Sequence, residues 1–362
     1  MTISTMSVTY QSVCQNVCLI MIESIAALIQ EIRIELALTR GVPPKIEKII
    51  EHDDGSLHII TADRAEKSLL LGPGGRIATE LAKTTSREVT VYGQDELILR
   101  EHRLKLTLNR IEEIYDHLNQ QQKQFIDLLR QIISNELLYP EIPSRTNERP
   151  QLSLKIAVAY SGGIDSSAAT FILKQSGLNP EAITVHLGRE FYTPDEMKQI
   201  HQWCNANKVN QILVEPPIEI DNVVQATKEG RIHPCGQCHE IIHESVRDYV
   251  RKNRYSILVT GELLPSGRQS IVQEDNLLVV HLPGALALSK YKTEMLAKES
   301  GKRVGRKRFG CRLAATANSR GWRNAGPSIF RVLRELEAGI LTTGQGLDYI
   351  RDIVKQWIDE RR

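Results

Sequence analysis

Seven consecutive residues, Ser161-Gly162-Gly163-Ile164-Asp165-Ser166-Ser167, follow the apolar run Lys155 to Tyr160 and open a helical pattern. This is the arrangement a polyanion needs. The glycines admit close backbone approach, the amides at a helix N terminus attract phosphate oxygens, and the hydroxyls of Ser161, Ser166 and Ser167 add donors. Asp165 can hold a magnesium ion against those phosphates. No Gly-Lys-Ser/Thr closes the loop and it lacks the Gly-x-Gly-x-x-Gly fingerprint, so neither common nucleotide motif accounts for it.

Cys235-Gly236-Gln237-Cys238 follows Pro234 at an expected helix start, and a third cysteine, Cys311, lies about 70 residues further on. Such a pair brings two thiolates to one ion or cluster, and a helix N terminus lowers their pKa toward the reactive form. The residue types also allow a zinc site completed by His233, His239 or His243, or a redox or inert thiol pair. Cys14 and Cys18, one helical turn apart, are expected to pack, and Cys204 to be a buried helix residue. Six cysteines, unevenly spaced, do not make a disulfide framework and point to a reducing compartment, so a cytoplasmic location is expected.

The elements that must position these groups follow from the patterning. With 41% apolar residues the chain has material for two cores. Lys plus Arg number 46 against 44 Asp plus Glu, a net charge of +2, so a nucleic-acid partner must be sought in local patches. The run Cys18 to Ile29 is interrupted by Glu23 and is too short to span a bilayer, and it lacks the flanks of a secretory signal; no membrane partner is expected. Residues 1–41 read as a helical extension ended by Gly41-Val42-Pro43-Pro44. Residues 42–95 read as a small α+β unit: a hairpin turning at Asp53-Asp54-Gly55, two helices around Gly72-Pro73-Gly74-Gly75, and a strand Glu88 to Tyr92. A helical connector and proline-bearing linker covers 96–150. From 151 to 312 apolar runs alternate with helices, predicting α/β architecture with parallel strands at Lys155 to Tyr160, Ala182 to His186, Gln211 to Val214, Ser256 to Thr260 and Leu277 to His281. Residues 313–362 form a helical tail, helical from Pro327 on, with Ile329, Val332, Leu333 and Leu336 on one face.

Ser161 to Ser166 matches the SGGxDS loop of the PP-loop ATP pyrophosphatases. That resemblance implies an adenine nucleotide α-hydrolase-like parallel sheet and cleavage of ATP between its α and β phosphates with an adenylated intermediate. ATP would be bound by Ser161, Gly162, Gly163, Asp165, Ser166, Ser167 and Gly261. The order of phosphate loop, CxxC and distal cysteine resembles the iron-sulfur-dependent tRNA thiolases, which implies that Cys235, Cys238 and Cys311 hold a [4Fe-4S] cluster with one iron free to carry sulfur; Zn2+ is the alternative. Val259-Thr260-Gly261-Glu262, Gln269-Ser270, Leu282-Pro283 and Lys290 resemble the tRNA 4-thiouridine synthetases. The chain departs from that family in its RNA-binding domain and lacks a C-terminal sulfur-carrier domain, so sulfur would come from a partner protein or free sulfide. Ser68 to Ile77, with Gly72-Pro73-Gly74-Gly75 in the place of a GxxG loop, resembles the KH domain, with Arg76 and Lys67 adding phosphate charge; a plain helix-turn-helix is the alternative. The run Lys302-Arg303-Val304-Gly305-Arg306-Lys307-Arg308, just before Cys311, is either a solvated loop or a guide for a polyanion.

The expected activity is ATP-dependent tRNA thiolation, with Asp165 and the three cysteines as catalytic residues and ATP, Mg2+ and the cluster as cofactors. The rival readings are a related ATPase that installs nitrogen and an RNA-binding regulator whose nucleotide site only senses. A homodimer is left open.

Overall fold

The computed structural model describes residues 21–140, 153–217, 219–303 and 309–359. They form two compact units, one of residues up to His102 together with Leu137–Pro140, the other of Arg103–Glu136 and the described chain beyond the linker. The chain passes from the first to the second within one helix and returns at the last residue of the next.

In the first unit, helix α1 covers residues 21–35. Strands β1 (Ile46–Glu51) and β2 (Leu57–Thr61) form the expected antiparallel hairpin, with Gly55 supplying the positive φ of 81° that its turn needs. Helices α2 (Arg64–Leu71) and α3 (Arg76–Thr85) then carry the chain to β3 (Val89–Gly93), which pairs parallel to β2. Ile29 and Ile32 of α1 pack with Leu57, Ile59, Leu70 and Leu81, so α1 belongs to this core. Arg33, 2% exposed, donates to the carbonyls of Leu38, Arg40 and Val42, which satisfies the guanidinium and closes the helix end.

Helix α4 (Gln94–Ile114) contains the division between the units, and α5 (Gln120–Leu137) follows. The second unit is built on β4 (Ile156–Ala159), α6 (Ile164–Gln175), β5 (Glu181–Val185), α7 (Pro194–Ala206), β6 (Asn210–Val214), α8 (Glu219–Lys228), α9 (Cys235–Lys252), β7 (Ile257–Thr260), β8 (Ile271–Glu274), β9 (Leu277–His281), α10 (Leu282–Ala285) and α11 (Lys290–Glu299). The sheet order is β6-β5-β4-β7-β9-β8, parallel except for β8, which lies antiparallel at the edge. β8 is absent from the predicted strands. Arg110 of α4 donates to the Ile271 carbonyl of β8, and Gln122 of α5 donates to the carbonyls of Ser256 and Asn276, so these helices cover what would be an open sheet edge.

Strand β4 has β5 on one side and β7 on the other, so the crossover direction reverses there. Ligands of open α/β sheets bind outside the carboxyl ends of strands at such a point. Helices α12 (Arg312–Ser319), α13 (Trp322–Glu337) and α14 (Thr343–Asp359) close the chain. The last stretch differs from expectation in two respects. α13 begins at Trp322 and takes Pro327 into its body, and Leu333 is 49% exposed, leaving Val332 with Ile329 and Leu336 to pack on Tyr349 and Ile353. Among the described residues no helix is long and apolar enough to cross a membrane.

Candidate functional site

A cleft of about 250 Å³ opens at the carboxyl ends of β4 and β7. Its walls include Ser161, Gly163, Asp165 and Ser166 on one side and Tyr192, His239, His243, Gly261 and Glu262 on the others. Helix α6 starts at Ile164 with Gly163 as its N-cap and no side chain capping it, so its first-turn amides remain for an anion. Gly162 has φ 69°, and a Cβ there would sit 2.3 Å from Ile200 Cγ1, so the turn demands glycine. The Ser166 hydroxyl is 3.3 Å from that of Ser161 and donates to the Gly163 carbonyl. Ser167 is fully buried with its hydroxyl 3.2 Å from that of Tyr160, so its side chain supports the loop from within the core.

Gly261 serves packing. A Cβ added to it would lie 2.5 Å from the Ser166 amide nitrogen and 2.7 Å from Ser166 Cα, so the end of β7 and the start of α6 meet backbone to backbone. Gly261→Ala forces these elements apart and is expected to destabilise the protein by about 1–3 kcal/mol, measured by urea unfolding. Unchanged stability would show that the contact yields.

The Asp165 carboxylate, expected to face magnesium, is held by Lys290 Nζ at 2.6 and 2.8 Å and by the Thr293 hydroxyl at 2.8 Å, both from the first turn of α11. Lys290 was visible in the sequence only through a family resemblance, and Thr293 not at all. Thr293 follows Lys290 by three residues, which puts both on one face of the helix.

Cys235 and Cys238 stand at the start of α9, half-buried and buried, and Cys311 is the exposed N-cap of α12, its sulfur accepting from the Ala314 amide. The three thiols interact electrostatically with one another. Their reactivity differs from the sequence expectation: burial first, then the neighbouring thiols, raises Cys235 and pushes Cys238 up to about 12, outweighing the helix terminus. A zinc ion with ~2.3 Å bonds to sulfur gathers its thiolates to within roughly 4 Å of one another. Here the three sulfurs do not all lie within 4.8 Å. Nor do the candidate histidines complete such a site. His233 bonds the Ser328 hydroxyl and accepts from the Cys235 amide, while His239 and His243 turn to Glu262.

The thiols stand near enough to the cleft to act on its groups through charge: Cys311 raises Tyr192, in the cleft wall, after burial does, and Cys235 and Asp165 both act on Arg331 of α13. The expected tail therefore contributes to the site. Burial opposes the charge of Glu262, yet hydrogen bonds from His239 and His243 and the nearby His281 hold it far below the usual range. Cys204 is fully buried, with its thiol raised to about 11 by burial.

In the first unit, Gly72, Pro73, Gly74 and Gly75 make the turn between α2 and α3, with Gly74 and Gly75 at φ 64° and 76° and nothing within 4 Å of an added Cβ. Arg76 is exposed, but Lys67 is paired with Glu96 at 2.7 Å. Of the basic run, Lys302 is half-buried and its ammonium is pushed down by that burial, Arg303 is exposed, and Arg306, Lys307 and Arg308 lie outside the described residues, as do Cys14 and Cys18.

No family model matches the chain. It is 28% identical over 262 residues to the uncharacterized protein MJ1638 of Methanocaldococcus jannaschii, covering 71% of this chain and 94% of that one. It is 28% identical over 130 residues to the tRNA-5-methyluridine(54) 2-sulfurtransferase of Pyrococcus horikoshii, covering 33% of this chain and 40% of the relative. A solved structure, the U34-tRNA thiolase NcsA from Methanococcus maripaludis with its [4Fe-4S] cluster, aligns with a TM-score of 0.38 and 14% identity over 66% of this chain and 80% of that one.

Proposed function

We propose that the chain is an ATP-dependent tRNA-modifying enzyme that replaces a pyrimidine carbonyl oxygen with sulfur. The observation that carries the reading is the nearness of two chemistries: an uncapped helix start with a glycine-serine loop, and three thiols within electrostatic reach of one another and of Tyr192 in the cleft wall. The sequence likeness to the Pyrococcus sulfurtransferase supports it.

In this reading the loop Ser161–Ser166 and the α6 amides bind the polyphosphate of ATP, with Lys290 as the cation closest to Asp165. Magnesium would enter with the nucleotide, and Asp165 is the carboxylate that would meet it. The base carbonyl oxygen attacks the α-phosphorus and pyrophosphate leaves. A sulfide then attacks the ring carbon, the carbon–oxygen bond breaks, and AMP departs with the former carbonyl oxygen. Making phosphate the leaving group is the purpose of the ATP, because a carbonyl oxygen alone leaves poorly. Cys235, Cys238 and Cys311 are the residues that would hold a [4Fe-4S] cluster, three thiols acting on one another through charge, and such a cluster would supply an open iron for sulfur. Incubation with labelled ATP, total tRNA and sulfide tests the reading. Release of AMP and pyrophosphate that depends on tRNA supports it, and ATP binding without turnover refutes it.

The tRNA would be held by the Gly72–Gly75 turn between α2 and α3, in a KH-like manner. Gly74→Asp/Gly75→Asp places negative charge where phosphate must approach and is expected to weaken tRNA binding by about tenfold or more at low salt. Gly74→Asn/Gly75→Asn, with the same shape and the same tolerance of positive φ, controls for strain. Equal affinity of the Asp and Asn proteins would remove this turn from the RNA site.

A further inference from the structure

Helix α9 carries two imidazoles one turn apart, His239 and His243, with ring centroids 4.1 Å apart. Both Nε2 atoms converge on one oxygen of Glu262, at 2.6 and 3.0 Å. The other carboxylate oxygen lies 3.2 Å from His281 Nδ1, which is itself 2.7 Å from the Thr260 hydroxyl. Among the described residues, this is the one set of three His, Cys, Asp or Glu side chains with ligand atoms all within 4.8 Å of each other.

We propose that His239, His243 and Glu262 bind a divalent transition ion of the zinc class, with a coordination position left open to the cleft. Two imidazole nitrogens and one carboxylate oxygen suit such an ion, whereas magnesium and calcium take oxygen sets. The same donor combination with one position unfilled serves catalytic zinc centres, and histidines four apart on a helix are its usual presentation. An ion ~2.0–2.1 Å from each donor needs donors roughly 3.3 Å apart, so the present 2.6 and 3.0 Å must open by less than one ångström. His281 supplies outer support: buried, and fixed by Thr260, it leaves Glu262 one oxygen for the ion. Because His239, His243 and Glu262 share the cleft with Ser161 and Asp165, the ion is a Lewis acid beside the phosphate loop, available to an oxygen of the nucleotide or of its acceptor. This assignment is independent of the thiolation reading, because it uses none of the cysteines.

Cobalt(II) titration of the metal-free Cys235→Ser/Cys238→Ser/Cys311→Ser protein tests it. One equivalent should bind with visible d–d bands and no thiolate charge-transfer band, and zinc should displace it. Adding Glu262→Gln or His239→Asn should weaken binding by more than the roughly 10–100-fold typical of losing an outer-shell partner; His281→Asn should fall within that range. His239 is exposed, so its replacement reads the site without threatening the fold. If the triple variant does not fold, the wild-type protein serves, since cysteine-bound cobalt declares itself by its charge-transfer band. Absence of the thiolate-free cobalt spectrum, unchanged affinity in both ligand variants, or displacement of cobalt by millimolar magnesium alone would each overturn the assignment.

Discussion

Asp165→Asn should lower tRNA-dependent AMP formation by roughly 10²–10³-fold while leaving tRNA affinity unchanged. The carboxylate stands at the start of α6, inside the phosphate cleft, and its contacts to Lys290 and Thr293 belong to the second unit alone. Asparagine is preferable to alanine because it keeps the shape and can still accept from Thr293. Losing one partner of a fully buried ion pair costs roughly 3–5 kcal/mol; the cost is smaller here because Asp165 keeps 28% and Lys290 14% of their side-chain exposure. Quench-flow measurement of AMP, paired with filter binding of tRNA and a thermal melt, separates the effects. A parallel fall in AMP formation and tRNA binding, or a melt showing an unfolded protein, would remove Asp165 from the nucleotide chemistry. Lys290→Met should give a similar loss of AMP if the pair acts as a unit, and a much milder one if Asp165 acts alone.

The second large effect concerns the thiols. Protein purified without oxygen should be brown and carry about four iron and four sulfide per chain, as that cluster type requires. Cys235→Ser, Cys238→Ser or Cys311→Ser should each bleach it and abolish sulfur transfer, measured by mass spectrometry of tRNA nucleosides. Adenylation, read as tRNA-dependent pyrophosphate release, should persist, because the loop Ser161–Ser166 takes its geometry from β4, α6 and Gly261 and from none of the cysteines. A colourless zinc protein that still thiolates tRNA would sink the cluster and leave a persulfide on Cys311 as the next route.

How much of this could be read before folding depends on how local each signal is. The strand, glycine turn and helix start at 155–167 were legible because they are contiguous, and the five parallel strands because each is a short apolar run between turn signals. β8 was missed: Ile271-Val272-Gln273-Glu274 is two apolar residues and two polar ones, and only its position beside β9 makes it a strand. The placement of Leu333 on the packed face failed because Val332 takes the inward position, leaving its neighbour on the flank. The thiols were found by spacing. The environment that raises Cys235 and Cys238 was not, since it is made by burial against elements distant in sequence. The carboxylate-imidazole group was illegible for the same reason: its members come from α9, from the turn after β7 and from the end of β9, and the four-residue spacing of His239 and His243 was its one local trace.

Helix α9 presents Cys235 and Cys238 in its first turn and His239 and His243 directly after, so thiols and imidazoles ride on one rigid rod. An α-helix turns about 100° per residue and advances ~1.5 Å, so a one-residue register slip in α9 would swing both sets away from their partners together. The two sets are geared: neither can be re-aimed while the other stays in place, and a ligand that turns the start of the helix through one set must be felt at the other.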